Sequence, residues 1–395
     1  MGKKKAIWLF AGGPMQEVAA KRITELGYSL IITDMNKECI CAKYAALVLP
    51  YDTFDVESNL NSIDKIQKAF DLKAVMTTAA DCHYSVNVIA KKLGLPGLDP
   101  EISKICRNKH LFREVMIKSG VYQPKSSSFS DYEASLKYVS QNKLSSFVVK
   151  ATDNSGSRGF NCIEKAADYT QEIFNDAKKN GTTGLVIIEE MLIPIKHGVA
   201  ELSVETLWCN GKMYFLNWVD RLFRNDLALF NLEKFTDFDL PWGVELGHIN
   251  PSQHDHKMKV KIIDEIYSSG CALGFDKLKH AAILKADIMI TDRGPVILEL
   301  TPRLSGGWDS SLSSRLRGSD FVGGLIRIAL GETLTLEMWY DHFSFQDSAL
   351  NVVVLSAFNF KPKDCTGRSF TVGTDYNLQN AFAKSMKNLT NNIYV

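Results

Sequence analysis

The chain has 395 residues, enough for two or three domains that each bury a substantial core. Lys and Arg total 46 and Asp and Glu total 45, so the formal net charge is +1 and no broad nucleic-acid-binding surface is indicated. No apolar stretch approaches the roughly 20 residues of a membrane span, and no secretory signal is recognised before the first strand. Eight cysteines are scattered without Cys-x-x-Cys pairs, which is typical of reduced thiols. We therefore expect a cytoplasmic protein whose partners are neither nucleic acids nor membranes.

Residues 1–105 alternate apolar strands with helices, which predicts a doubly wound (Rossmann-like) α/β domain. The predicted elements are strand 6–10, helix 15–26, strand 28–33, strand 74–78 and a helix from about 85 to 93. The first turn, residues 11–16, reads Ala-Gly-Gly-Pro-Met-Gln and lacks Gly-x-Gly-x-x-Gly. Pro14 also removes an N–H that would face a phosphate. The pattern therefore favours a structural domain over a dinucleotide site.

A lysine and a glycine-rich loop follow a short apolar strand at 147–150. Lys150 ends this strand, where its charge can point at a phosphate group. The backbone N–H groups of the following loop, 151–159, can approach phosphate oxygens closely. Its candidate phosphate-binding residues are Ser155, Gly156, Ser157 and Gly159. A plain turn between two strands is the alternative, and the loop is not a Walker loop. Upstream, a predicted helix at 109–119 begins with Lys109.

A second apolar strand, at 185–188, runs into two glutamates and a hydrophobic pair. The glutamates are Glu189 and Glu190, and the pair ends at Leu192. A further strand begins at 201–205 with Glu-Leu-Ser-Val-Glu, a pattern that also fits any half-exposed strand. Carboxylates therefore collect at the ends of two predicted strands.

Residues 286–308 form the most informative stretch of the chain. They contain two apolar runs, 288–290 and 296–300, joined by the turn Asp292-Arg293-Gly294. This pattern predicts a hairpin that folds Asp287 and Glu299 toward each other. Such hard oxygen ligands suit Mg²⁺, which is held by one or two carboxylates plus substrate phosphates. A surface hairpin with solvated charges is the alternative, but Glu299 lies in an apolar run, where an unpaired carboxylate is costly. Arg303 adds a fixed cation where phosphate or carboxylate would lie.

Residues 299–303, Glu-Leu-Thr-Pro-Arg, resemble the Glu-hydrophobic-Asn-Pro-Arg signature of ATP-grasp enzymes. That group contains carboxylate–amine ligases, biotin carboxylase and carbamoyl-phosphate synthase. The upstream motifs occur in the order of that family, so the resemblance covers about residues 1–330. It implies a fold of mixed α/β and α+β type, with an N-terminal doubly wound domain, a small lid subdomain and a larger subdomain. The expected divisions are 1–105, 106–185 for the lid, 186–330 with the metal site, and a small C-terminal extension at 331–395.

The resemblance implies that ATP is bound, with Mg²⁺, or Mn²⁺ as an alternative ion. Lys109 and Lys150 would reach the nucleotide phosphates, under a mobile glycine-rich lid. Glu189 would lie near the adenine amino group. The backbone of Glu190 and Leu192 would read the edge of the adenine ring.

The resemblance also implies the metal ligands, which would be Asp287, Glu299 and Thr301. Thr301 stands where the family usually has asparagine, and Asp287 where glutamate is common. Because a threonine hydroxyl is a weaker neutral ligand, one of two Mg²⁺ ions is expected to be loosely held or completed by water. Glu201 would lie near the ribose or the metal, and Glu205 on the same strand is the less favoured alternative.

The implied chemistry is activation of a carboxylate by ATP, followed by attack of an amine on the acyl phosphate. Arg303 and Lys150 are the expected catalytic residues, because charge spreads over the phosphoryl oxygens. Residues 220–256 are predicted to be an irregular passage that carries specificity. We expect an ADP-forming ligase for a small-molecule carboxylate and amine, with amino acids as candidate substrates and a homodimer left open. The alternatives are a small-molecule kinase or phosphotransferase and a non-catalytic nucleotide-binding regulatory protein.

Overall fold

The computed structural model describes residues 2–154, 158–230, 243–360 and 369–394. None of the helices in these ranges has the length and apolar content needed to cross a membrane. The strands are β1 (Lys4–Phe10), β2 (Ser29–Thr33), β3 (Ala45–Leu49), β4 (Phe70–Met76), β5 (Ser126–Phe129), β6 (Phe147–Ala151), β7 (Asn161–Ile163), β8 (Val186–Glu190), β9 (Glu201–Cys209), β10 (Lys212–Leu222), β11 (Gly247–Asn250), β12 (Ala282–Thr291), β13 (Gly294–Thr301), β14 (Asn351–Ser356) and β15 (Phe370–Asp375). The α-helices are α1 (Glu17–Glu25), α2 (Val56–Asn61), α3 (Ile63–Ala69), α4 (His83–Leu93), α5 (Pro100–Arg107), α6 (Lys109–Lys118), α7 (Tyr132–Gln141), α8 (Gln171–Lys179), α9 (His256–Ala272), α10 (Ser314–Leu316), α11 (Phe321–Ala329), α12 (Leu336–Phe343), α13 (Ala357–Phe360) and α14 (Leu378–Thr390).

The N-terminal sheet is parallel, with strand order β3-β2-β1-β4. Ile7 and Leu9 of β1 pack on one face with α1 and α11, and Trp8 and Phe10 pack on the other with α3 and α4. Both faces are therefore covered, as expected of a doubly wound domain. The predicted helix 15–26 begins as a 3-10 turn before continuing as α1. The doubly wound domain predicted from the sequence is confirmed.

The second sheet is small and antiparallel, with strand order β5-β8-β6-β7. Its core is aromatic: the ring centroids of Phe147 and Tyr169 lie 5.2 Å apart, edge to face. Because β8 pairs with both β5 and β6, we propose that the boundary of this lid subdomain falls after Glu190 rather than at residue 185.

The third sheet is the largest, with strand order β13-β12-β9-β10-β11-β14-β15 and antiparallel pairing throughout. The C-terminal extension adds β14 and β15 to it. The expected irregular passage at 220–256 is partly wrong, because Arg221 lies in β10, His248 in β11, and α9 begins at His256. Ladder pairing across the sheet therefore fixes the direction of several of these side chains. Trp242 of that passage lies outside the described residues.

Candidate functional site

A cavity of about 960 Å³ lies where the three sheets meet. This volume is at the upper end of ordinary ligand sites, large enough for a nucleotide and a small second substrate. The N-terminal sheet contributes the loops after β1 and β4, including Met15 and Asp81, at the strand ends where α/β sheets bind ligands. The small sheet contributes Lys150 and Glu189, and the large sheet contributes Asp287.

The β12–β13 hairpin forms one wall of the cavity. Asp287 pairs directly with Glu299, and both residues line the cavity. The register then shifts by one residue, so Leu298 has no direct partner on β12. The predicted hairpin is confirmed, and it places Asp287 opposite Glu299 on the cavity wall. Their role as metal ligands stays a prediction.

Asp287 lies between two cations. The Lys285 ammonium contacts Oδ2 of Asp287, and Nη1 of Arg221 lies 3.3 Å from Oδ1. Burial raises the pKa of Asp287, but Lys285 and Arg221 outweigh it and hold that pKa below its usual value. Arg221 also donates to Glu245 Oε2 from Nε at 3.2 Å and from Nη2 at 2.8 Å. These ion pairs of Arg221 were not predicted from the sequence, although its position opposite Glu201 on β9 follows from antiparallel pairing.

The two glutamates of β9 have different surroundings. Glu201 lines the cavity, and burial raises its pKa to about 7 even though Arg221 opposes the shift. Glu205 is fully buried and accepts hydrogen bonds from the Ser305 backbone N–H at 2.8 Å and the Ser310 hydroxyl at 2.6 Å. Of the two, Glu201 is the one on the cavity wall.

Lys150 and Glu189, on neighbouring strands β6 and β8, form an ion pair with an Nζ–Oε2 distance of 2.6 Å. Arg113 of α6 holds the same carboxylate, with its Nε 2.9 Å from Oε1. Burial would raise the pKa of Glu189, yet Arg113 and Lys150 lower it to about 2. Burial lowers the pKa of Lys150, and Glu189 opposes that shift. Glu189, expected near the adenine amino group, thus already binds two cations. Arg113 was missed, because a helical arginine carries no distinguishing local pattern.

Lys109 connects the loop after β6 to the hairpin. Its Nζ donates to the Asn154 carbonyl at 2.5 Å and lies 3.9 Å from Glu299 Oε2. Asn108 caps α6 by accepting hydrogen bonds from two backbone N–H groups, which fixes where the helix begins. The cap therefore sets the position of this lysine on the cavity wall.

The segment after β8, where the adenine-binding hinge is expected, lies on the cavity wall. Glu190 and Leu192 both line the cavity. The Glu190 N–H donates to the Lys125 carbonyl at 2.8 Å, so that N–H is already used within the protein. If the Glu190 backbone contacts adenine, it must therefore do so through its carbonyl oxygen.

The glycine-rich loop falls only partly within the described residues. Ser155, Gly156 and Ser157 lie outside them. Gly159 has a φ of 66°, and a Cβ there would lie 2.8 Å from the Asn180 Cβ. A glycine is therefore required at 159 by the backbone and by packing against the end of α8.

Arg303 reaches from the end of the hairpin to the N-terminal domain and binds Asp81. Its Nε and Nη2 lie 3.0 Å and 2.5 Å from Asp81 Oδ1, and its Nη1 donates to the Leu304 carbonyl at 2.7 Å. Burial lowers the pKa of Arg303, but Asp81 raises it further, so the guanidinium stays charged. Asp81 was missed in the sequence analysis. Its position after the parallel strand β4 was the available signal.

The oxygens of the hairpin fit a hard divalent cation. Oδ1 of Asp287 and Oγ1 of Thr301 are buried without hydrogen-bond partners among the described residues. Thr301 lies behind the cavity wall, since it is not one of the described residues that line it. The described residues contain no group of three or more His, Cys, Asp or Glu suited to a metal. Two carboxylates, completed by phosphate oxygens and water, match the way proteins hold Mg²⁺.

No family model matches the chain. A curated relative, the uncharacterized protein y4rH of Sinorhizobium fredii, is 24% identical over 289 residues, which is 72% of this chain. The chain spans about half of that relative, 54% of its length.

Solved structures resemble the whole chain. An L-amino acid ligase from Bacillus licheniformis superposes with a TM-score of 0.72 at 16% identity, covering 99% of this chain and 98% of the ligase. An ADP complex of N5-carboxyaminoimidazole ribonucleotide synthetase gives a TM-score of 0.70 at 15% identity over 99% and 97% of the two chains. Biotin carboxylase from Campylobacter jejuni gives 0.63 at 16% identity, over 89% of this chain and 75% of the carboxylase. These three proteins are ATP-grasp enzymes, and the likeness is one of fold. Together with the three sheets around one cavity, it establishes that this chain has the ATP-grasp fold.

Proposed function

We propose that this protein is an ATP-dependent, ADP-forming carboxylate–amine ligase that makes an amide or peptide bond through an acyl phosphate. The observation that carries the proposal is the convergence of Lys109, Lys150, the hairpin carboxylates and Arg303 on one cavity. Amino acids are the proposed substrates, because the L-amino acid ligase matches the chain over nearly its full length. The proposed site of action is the cytoplasm.

The nucleotide would lie along the small sheet. Its adenine would contact the carbonyl of Glu190 and the backbone of Leu192, and its phosphates would lie near Lys109 and Lys150. Lys150 can serve a phosphate despite its pairing with Glu189, because Arg113 already neutralises that carboxylate. Charge-assisted contacts of this kind contribute about 1.5–3 kcal/mol each. The glycine-rich loop, including Ser155, Gly156 and Ser157, would cover the phosphates.

Asp287 and Glu299 would hold Mg²⁺, with Thr301 behind them and Glu201 beside them. When bound, the ion would neutralise charge on the phosphate oxygens. The ion pairs of Asp287 with Lys285 and Arg221 keep this carboxylate ionised, which is the form that a cation requires.

The substrate carboxylate would lie between the nucleotide and the loops of the N-terminal sheet. Its oxygen would attack the γ-phosphorus of ATP, and the bond to the bridging oxygen would break as ADP leaves. The amine nitrogen would then attack the acyl carbon, phosphate would depart with the C–O bonding electrons, and the nitrogen would lose its proton. Arg303, held by Asp81, would stabilise the negative charge of the phosphoryl group. Such a fixed guanidinium needs no reorientation during the reaction.

The test is release of ADP and phosphate in the presence of pairs of amino acids, with mass analysis of products. A ligase releases ADP only when both a carboxylate and an amine are supplied, and the amount of ADP equals the amount of amide product. A kinase releases ADP with one acceptor and yields a phosphorylated product. A binding protein gives a thermal shift with ATP and no ADP. Either of the last two results would reject ligation.

A matched pair of variants localises the activity. Lys150→Met should lower turnover at subsaturating ATP at least tenfold, which corresponds to about 1.4 kcal/mol. Lys212→Met removes an exposed lysine at the start of β10 and should leave the rate unchanged. Equal rates for the two variants would remove Lys150 from the site.

A further inference from the structure

The wall of the cavity formed by β12 and β13, which carries the proposed metal ligands, also carries the ammonium group of Lys285. Lys285 and Asp287 are two residues apart on β12, so their side chains emerge on the same face of the sheet. The Lys285 ammonium contacts Oδ2 of Asp287, and Arg221 lies against Oδ1. Both oxygens of the carboxylate therefore face fixed positive charges.

We propose that the Lys285 ammonium takes the place of one of two divalent cations, so that this protein works with a single Mg²⁺ held through Glu299. The inference rests on the proposed function, because it concerns the metal content of the same ATP site. It makes Lys285 a positioning residue, and it narrows the carboxylate ligands of the proposed function from two to Glu299 alone, because Asp287 holds the lysine in place of an ion.

The strand register brings Lys285 next to the two departures from the ATP-grasp pattern, Asp287 and Thr301. Asp287 is paired with Glu299, and Lys285 is paired with Thr301. The lysine is thus directly opposite the position where an asparagine ligand is expected. Asp287 is a shorter acid than glutamate, Thr301 is a weaker neutral ligand than asparagine, and Lys285 adds an ammonium group. All three lie in neighbouring positions of the hairpin. All three features weaken the binding of a second ion at this wall.

A second ion would have to displace the ammonium. Mg²⁺ binds carboxylate oxygens at about 2.0–2.1 Å and demands near-octahedral surroundings, so an ion on Oδ2 of Asp287 would occupy the place of the Lys285 Nζ. The side chain of Lys285 is only 7% exposed, which leaves it little room to move aside. The acid across from it on β9, Glu205, already accepts hydrogen bonds from Ser305 and Ser310.

Glu299 remains suited to an ion. Its side chain is 26% exposed, and among the described residues its ion-pair neighbour is Lys109, at 3.9 Å. That separation exceeds a hydrogen bond, so the carboxylate oxygens can turn toward a cation bound to nucleotide phosphates. One carboxylate plus phosphates is a sufficient protein contribution for Mg²⁺.

The experiment counts bound Mn²⁺ by electron paramagnetic resonance titration of the full chain, saturated with β,γ-methylene-ATP. Wild type should bind one tight Mn²⁺ per chain. Lys285→Met, which removes the charge but keeps much of the length, should bind a second Mn²⁺ at least tenfold more tightly than wild type does. Lys285→Arg and the control Lys212→Met should each keep a single tight ion.

Two tight ions in wild type would overturn the inference, and so would a folded Lys285→Met variant that still binds one. If Lys285→Met does not fold, as judged by circular dichroism, the wild-type count decides alone. Wild type that binds neither Mn²⁺ nor the nucleotide would overturn the proposed function and this inference with it. Two tight ions together with nucleotide binding would leave the proposed function standing.

Discussion

Of the two hairpin carboxylates that line the cavity, Glu299 has fewer ion-pair partners than Asp287 among the described residues. Its loss should therefore reduce turnover more than stability. Glu299→Gln removes the negative charge but little volume. We expect ADP formation to fall at least a hundredfold, about 2.7 kcal/mol, while the melting temperature without ligands changes little. The measurement is ADP release with matched thermal unfolding. Glu337→Gln, on the exposed side of α12, is the control. An unchanged rate in Glu299→Gln would reject the metal assignment.

Arg303 binds Asp81 and a backbone carbonyl at the same time, in a geometry that a lysine cannot reproduce. Two of its nitrogens hold Asp81 and a third binds a backbone carbonyl, so the guanidinium has a fixed orientation. Arg303→Lys keeps the charge and loses this geometry. We expect nearly unchanged ATP affinity and a rate of product formation about a hundredfold lower. This corresponds to roughly 2.7 kcal/mol of lost transition-state stabilisation.

Nucleotide binding and turnover must be measured on the same Arg303→Lys protein. If both survive, Arg303 is structural. If only binding is lost, it belongs to the nucleotide rather than to the transferring phosphoryl group.

His83 should make the fold sensitive to acid. Its ring is buried, and burial together with Arg303 lowers its pKa from 6.5 to about 4. Between these values the unfolded chain binds a proton that the folded chain does not. The stability from this group is therefore complete above about pH 6.5 and is lost as the pH falls toward 4, by on the order of 2–3 kcal/mol.

The measurement for His83 is urea unfolding of wild type and His83→Leu between pH 4 and pH 7. The unfolding free energy of wild type minus that of His83→Leu should fall as the pH falls, because only wild type carries the titrating ring. His256→Gln, at the exposed start of α9, should run parallel to wild type. Parallel curves for wild type and His83→Leu would contradict the assignment.

At the scale of elements, α9 depends on a close approach to the large sheet. A Cβ on Gly270 would lie 2.2 Å from the indole ring of Trp208, which is fully buried. Helix propensity alone favours alanine by about 1 kcal/mol, whereas overpacking costs about 1–3 kcal/mol. We expect Gly270→Ala to lower the unfolding free energy by up to about 2 kcal/mol, measured in urea. Ser268→Ala on the exposed face of α9 is the control, and a stabilised Gly270→Ala would contradict the packing argument.

The sequence predicted elements whose pattern is local. The β12–β13 hairpin followed from two apolar runs and a Gly-containing turn, and the N-terminal βαβ unit followed from strand–helix alternation. Arg221 was assigned to a loop, because β10 continues through polar positions that only its pairing with β9 makes regular. Pairing between distant strands is invisible to a pattern read along the chain.

At the scale of the whole molecule, distant segments complete the site. Arg303 and Asp81 are 222 positions apart, and this contact ties the hairpin to the loop after β4. Helix α11, which follows the hairpin, returns to pack on the N-terminal sheet. No short motif encodes either contact, so the sequence predicted the hairpin but not its contact with Asp81 or the return of α11. The Arg303–Asp81 contact brings the loop after β4 against the hairpin that carries the proposed metal ligands.

The most direct test of the central claim follows oxygen from the substrate. A carboxylate labelled with ¹⁸O is supplied with ATP and an amine, and the released phosphate is analysed by mass spectrometry. Because the carboxylate oxygen attacks the γ-phosphorus, we predict that each phosphate released with product carries one ¹⁸O atom. Unlabelled phosphate released in equal amount to the amide would contradict an acyl-phosphate ligase.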